Sequence, residues 1–148
     1  MFLLSGILSY LLYQQKSKRI ASQTNKKEMG WNAIAVKKMW VINNKDTTVF
    51  LKKDGIWKRN AQFDGMGEAI QILNYLSTMQ LENVNALNFN SEYELHTFDK
   101  AGKLVNKIEI GQESKVGICY ARINNGQIVS LSNLQNKSSL RKMLKISI

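Results

Sequence analysis

The sequence predicts an α+β domain: an antiparallel sheet with one main packing helix and a short C-terminal helix, placed after an N-terminal apolar anchor. Three observations predict it. Runs rich in β-branched and aromatic residues are separated by short Asn/Asp/Gly clusters, the pattern of hairpins. Between residues 63 and 80 the apolar spacing changes to 3 or 4, which is helical. The strands are grouped before and after that helix instead of alternating with helices, so the sheet is antiparallel rather than a βαβ array.

The first run, MFLLSGILSYLLY, has thirteen uncharged residues and is followed by QQKSKR. A bilayer crossing needs roughly 20 apolar residues, so residues 1–15 read as a short, signal-like or uncleaved membrane anchor. No basic stretch precedes the run and no small-x-small cleavage site follows it. Tyr10 and Tyr13 suit the interface, and Lys16, Lys18 and Arg19 can reach headgroups. Residues 16–32 are polar and aperiodic and read as a linker. Residues 33–148 form the single folded domain, a size at which one core can bury most of its apolar surface.

Within that domain, AIAVKKMWVI (33–42) and TTVFLKK (47–53) predict a hairpin around NNKD. Asp54-Gly55 is the next turn, because glycine reaches positive φ without strain, and the short strand IWKRN follows. Alternation on that strand sets Ile56 and Lys58 on one face and Trp57 and Arg59 on the other. Trp57 is thus expected to be a core residue beside a turn, not a stacking platform. FDGMGEAIQILNYLSTMQ (63–80) predicts the helix, with Asp64 as N-cap, Glu68 in the first turn, and Ile70, Leu73, Leu76 and Met79 as the packing stripe. LENVNALNFN reads as loop. Strands resume at 92–98, 103–110, 117–122 and 127–131, with turns at DKAG and NNG, and SSLRKMLK (138–145) predicts the closing helix on Leu140, Met143 and Leu144.

Charge is segregated. Residues 16–59 carry twelve Lys/Arg against three acids, residues 60–113 three bases against eight acids, and residues 114–148 six bases and no acid. Either a polyanionic or membrane surface is a partner, or a basic and an acidic face answer each other within one fold. Lys37, Lys38, Lys52, Lys53, Lys58 and Arg59 are the candidate interaction surface. Catalysis finds little support. One histidine, His96, and one cysteine, Cys119, leave no set for a metal cluster or a serine triad, and no cofactor is implied. A Cys119–His96 dyad is combinatorially open, although a strand cysteine flanked by Ile118 and Tyr120 is more commonly inert core. Glu92 and Glu94 read as a solvated face, and DGMGE lacks the lysine of a phosphate loop.

The runs TVFLKKDGIW (48–57), LSTM (76–79), FDKAGK (98–103), IEIG (108–111), GICYAR (117–122) and IVSL (128–131) together resemble the DUF4340 family of bacterial domains over roughly residues 34–145. That resemblance implies a single N-terminal membrane tether, a body facing outward from the cytoplasm (periplasmic), association with envelope or ABC-type transport components, and no catalytic residues to carry over. The cationic cluster after the apolar run argues the other way on orientation, since positive residues stay inside. The expectation is a non-enzymatic, membrane-tethered accessory domain with its body outside the cytoplasmic membrane. The alternative is a nucleic-acid or anionic-polymer binder using Trp31, Trp40, Trp57, Lys37, Lys38 and the basic tail, without a recognisable RNA- or DNA-binding signature. Neither reading calls for a small-molecule substrate.

Overall fold

The computed structural model describes residues 27–28, 32–84, 88–113, 119–132 and 140–146. The apolar segment 1–15, most of the 16–32 linker, Trp31 and the basic residues before Lys27 lie outside them. Among the described residues, no helix is long and apolar enough to cross a membrane.

Ten strands and two α-helices make up the described chain: β1 Lys27–Glu28, β2 Lys38–Asn43, β3 Thr47–Lys53, β4 Ile56–Arg59, β5 Phe63–Asp64, α1 Met66–Thr78, β6 Gln80–Asn83, β7 Tyr93–Phe98, β8 Leu104–Glu113, β9 Cys119–Ile123, β10 Ile128–Ser132 and α2 Leu140–Ile146. They form one sheet in the order β1-β6-β10-β9-β8-β7-β2-β3-β4-β5. Every pairing is antiparallel. The topology is two meanders, β2 to β5 and β7 to β10, joined side by side through β2 and β7, with α1 carrying the chain from edge strand β5 to β6, which lies between β10 and the opposite edge strand β1. The α+β antiparallel class with one main and one short C-terminal helix is therefore as expected.

Turn chemistry sets much of the register. Asp54 (φ 50°) and Gly55 (φ 82°) both take the left-handed conformation, as a two-residue hairpin matched to strand twist requires. Asn124 (φ 50°) and Asn125 (φ 59°) do the same between β9 and β10, and asparagine tolerates that region better than most side chains. Asp99 holds the β7–β8 turn by accepting backbone N–H bonds from Ala101 and Lys103, both at 2.9 Å.

Both helices cover the same sheet face. On it, Met39, Val41, Phe50, Trp57, Leu95, Ile108, Ile110, Cys119, Ala121 and Leu131 meet Ala69, Ile72, Leu73, Tyr75 and Leu76 of α1 and Leu140, Met143 and Leu144 of α2 in one core. The three apolar residues expected of the C-terminal helix are all buried.

Five local expectations are corrected. Residues 33–35 form a 3-10 turn and the strand begins at Lys38, since the chain must pass from edge strand β1 to interior strand β2 and two alanines favour extended structure weakly. Lys27–Glu28, inside the predicted linker, pairs with β6. Phe63–Asp64 is a short strand on β4, so α1 begins at Met66 with Gly65 as N-cap, and Asp64 caps from one position earlier by accepting the Met66 N–H at 2.9 Å. Of the expected helix stripe Leu73, Leu76 and Met79 are buried, joined by Ala69, Ile72 and Tyr75, while Ile70 is 39% exposed and leaves the stripe. Finally, Gln80–Asn83 is a strand, fixed by pairing with β10 and not by its own composition.

Candidate functional site

The face of the sheet opposite the helices is built from rows of residues that the antiparallel register sets side by side. Nearest the β3–β4 and β7–β8 turns, the row runs Leu104, Phe98, Lys38, Leu51 and Lys58. The next row holds Lys107, His96, Trp40 and Val49, and a third holds Arg122, Glu109, Glu94 and Ile42. Among the described residues, no helix covers this face.

At its centre is an aromatic and cationic cluster. The Trp40 and Phe98 rings lie 4.7 Å apart at 59°, a tilted geometry that places the edge of one against the face of the other. The Lys38 ammonium stands 4.7 Å from the Trp40 ring and 5.2 Å from the Phe98 ring, within the range of cation–π attraction. Leu51 and Leu104, 43% and 45% exposed, flank it. Toward the far end the surface is neutralised: Glu94 reaches His96 at 2.9 Å and Lys107 at 3.5 Å, and Glu109 reaches Lys107 at 3.7 Å and Arg122 at 3.8 Å. There the guanidinium of Arg122 lies over Phe89 at 5.1 Å, and Phe89 and Asn90 close over Gly111, where an added Cβ would meet the Asn90 carbonyl oxygen at 2.7 Å.

A cleft of about 630 Å³ opens at the turn end of the sheet. It lies between the Asp54-Gly55 turn and the Asp99–Gly102 turn, with Lys37, Lys38, Leu51, Lys52 and Lys100 completing its lining. Lys37 precedes β2, Lys38 opens it, Lys52 is the last but one residue of β3 and Lys100 stands in the β7–β8 turn; the register puts Lys38 on the outer face beside Leu51 and Lys52 on the helix side beside Trp57. The backbone locks these elements together: Lys37 N–H donates to Phe98 O, and Lys52 N–H to Lys37 O, both at 2.9 Å.

Of the six residues chosen from the sequence, Lys37, Lys38 and Lys52 line this cleft. The others do not join them. Lys58 is exposed in the outer row, and Lys53 is exposed at the end of β3. Arg59 faces the helix side, where its guanidinium donates to Glu68 at 2.7 Å and lies 5.9 Å from the Phe63 ring. The strip of like charge along the sequence is thus divided between two faces, Lys38 and Lys58 on the outer one and Lys52 and Arg59 on the helix side, because consecutive strand residues point opposite ways. Lys100 went unnoticed in the sequence, since it stands among acids and joins the basic group only through the β2–β7 pairing.

Geometry also decides the candidate chemical pairs. His96 shares its row with Trp40 and Lys107 on the outer face, whereas Cys119 is buried with Leu131 and Ala121 on the helix side, so the sheet separates them and no dyad forms. Glu92 accepts from Arg141 of α2 and Glu94 binds His96 and Lys107, so these carboxylates serve different ion pairs. Compared with known proteins, the chain matches no family model, no curated protein and no solved structure.

Proposed function

We propose that this chain is a non-enzymatic, membrane-tethered interaction domain of a bacterial envelope or transport-type complex, docking a partner on the outer face of its sheet. The observation that carries the docking is the one-sided packing: both described helices cover one face, and the other presents the Lys38–Trp40–Phe98 cluster between exposed Leu51 and Leu104. An aromatic centre ringed by partly exposed aliphatics has the composition of a protein-binding surface, where aromatic anchors carry much of the energy. Support for the tether is the uncharged run at residues 1–13 with its trailing cationic cluster, and the resemblance to DUF4340 domains supports the outward orientation.

Single-strand nucleic-acid binding has less support. Trp57 is buried beneath α1 and offers no stacking face, and the Trp40 ring already carries the Lys38 ammonium. The experiment has two arms in the producing bacterium. Alkaline phosphatase fused after Ile148 is expected to be active. A photo-crosslinking amino acid at Leu51 is expected to trap a discrete membrane-associated protein, and the same group at Gln71 on the exposed side of α1 is not. An inactive phosphatase fusion beside a fluorescent cytoplasmic one overturns the orientation; equal or absent crosslinking at both positions overturns the docking face.

A further inference from the structure

We infer that the partner docked by the outer face is an acidic protein surface, one that presents an apolar side chain between carboxylates to Leu51 and Ile56 and to the lysines beside them, Lys38, Lys53 and Lys58. The inference rests on the docking reading above and names the chemistry of what docks.

The register interleaves apolar and cationic side chains on this part of the face. Leu51 pairs with Lys38 on one side and with Lys58 on the other, and Ile56 pairs with Lys53. Leu51 and Ile56 are 43% and 54% exposed, and Lys53 and Lys58 are exposed beside them. Neighbouring strands lie about 4.8 Å apart, so Lys38 and Lys58 bracket Leu51 with their backbones roughly 10 Å apart. Among the described residues, none of these three lysines forms an ion pair, although Arg59, Lys107, Arg122 and Arg141 all do. Carboxylates near them are otherwise engaged. Asp64, opposite Lys58, accepts the Met66 N–H at 2.9 Å, Asp99 accepts the Ala101 and Lys103 N–H groups, and Asp54 lies in the turn beyond Lys53 without pairing with it.

The unmatched positive charge decides among occupants. All 11 Asp and Glu residues of the sequence stand at described positions, so no segment outside them brings a carboxylate side chain to these lysines. A second copy laid face to face would set lysine against lysine, since Glu94 and Glu109 on the same face are held by His96, Lys107 and Arg122. Like charges across an interface oppose that pairing. A lipid surface takes up a continuous apolar face, whereas here the aliphatics are interrupted by lysines and both hairpin turns carry a carboxylate, Asp54 and Asp99. What fits is a protein surface of opposite sign. Its apolar group covers Leu51 and Ile56, and its carboxylates meet the lysines at the rim, where charge steers encounter and fixes register.

The test is an amide chemical-shift titration of the full chain in neutral detergent, at physiological ionic strength. The probe is a synthetic peptide, capped at both ends, in which a central Leu-Phe pair lies between paired aspartates. One control peptide has asparagine for every aspartate, and the other has serine for the Leu-Phe pair. Saturable shifts at Lys38, Leu51 and Lys58 are expected with the acidic apolar peptide. Both controls are expected to bind about fivefold or more weakly, since each lacks one half of the complementarity. The double variant Lys53→Gln/Lys58→Gln, at two exposed positions, is expected to weaken binding by about fivefold or more while leaving the helix-side shifts in place. The variant Lys45→Gln/Lys145→Gln, which removes the same charge elsewhere, is expected to leave binding unchanged. No saturable shift, equal binding of either control peptide, or equal weakening by both double variants overturns the acidic partner. Shifts at the same residues with short-chain phosphatidylglycerol and none with the peptide overturn it in favour of a lipid surface, and shifts on raising the protein concentration alone do so in favour of a second copy. Failure here with crosslinking from Leu51 intact leaves the docking face standing with a partner of other chemistry. Peptide binding without crosslinking sinks the envelope partner and keeps the preference for acidic, apolar surfaces.

Discussion

Trp40 and Trp57 stand on neighbouring hairpins of the same sheet, each with a lysine against its ring, and they have opposite surroundings. Trp57 is 2% exposed and packs under α1 with Phe50 and Ala69; Lys52 covers what remains of its edge. Trp40 is on the other face, half-buried, with Phe98, His96 and Lys38 against its ring. One ring is held by a helix and the whole core, the other by side chains of its own sheet face. The same residue type next to the same cation thus serves stability in one place and leaves recognition surface in the other, and what separates them is which side of a strand each occupies.

The largest expected effect that tests this contrast is Trp57→Ala. Removing a fully buried indole leaves a cavity the sheet and helix cannot close, so a loss of about 3–5 kcal/mol is expected in chemical denaturation. A variant with unchanged midpoint would break the comparison at its buried end. Gly111→Ala comes next. Its Cβ would fall 2.7 Å from Asn90 O and 2.8 Å from the Phe89 ring, and overpacking of this kind costs about 1–3 kcal/mol. Hydrogen exchange should show the loss concentrated at residues 89–92 and 110–111; a loss spread over the helix side would mean that the loop does not rest on Gly111 as described.

Trp40→Ala is expected to cost the least, about 1–2 kcal/mol, for one aromatic pair and one cation–π contact on a partly exposed face. The comparison is sharpest when the two tryptophan variants are measured together in one denaturation series. A Trp40→Ala loss equal to that of Trp57→Ala would show that the outer face is a second core, already covered by some part of this chain, and would remove the case for a docking surface.

Periodicity and turn chemistry by themselves determined the α+β class, the two hairpin-rich halves and the main helix. They also determined that Trp57 is core, because a β-strand next to an Asp-Gly turn has only two faces and one must be buried. These signals are local: two- and 3.6-residue periods and positive-φ turns are written in consecutive residues. What only the tertiary structure decided is non-local. Gln80–Asn83 becomes a strand because β10 offers it a partner, and Ile70 is left out of the helix stripe because the sheet receives the face of Ala69 and Ile72 instead. The candidate site divides in the same way. Lys37, Lys38, Lys52 and Arg59 were legible as a basic strip, but alternation and register divide it, setting Lys38 beside Leu51 on the outer face and Lys52 and Arg59 on the helix side with Trp57 and Glu68, while Lys100, 48 to 63 residues beyond the three lysines, comes near them only through the β2–β7 pairing. Side-chain charge is a property of sequence; which charges share a surface is settled by strand order and register, and those are set by contacts between residues distant along the chain.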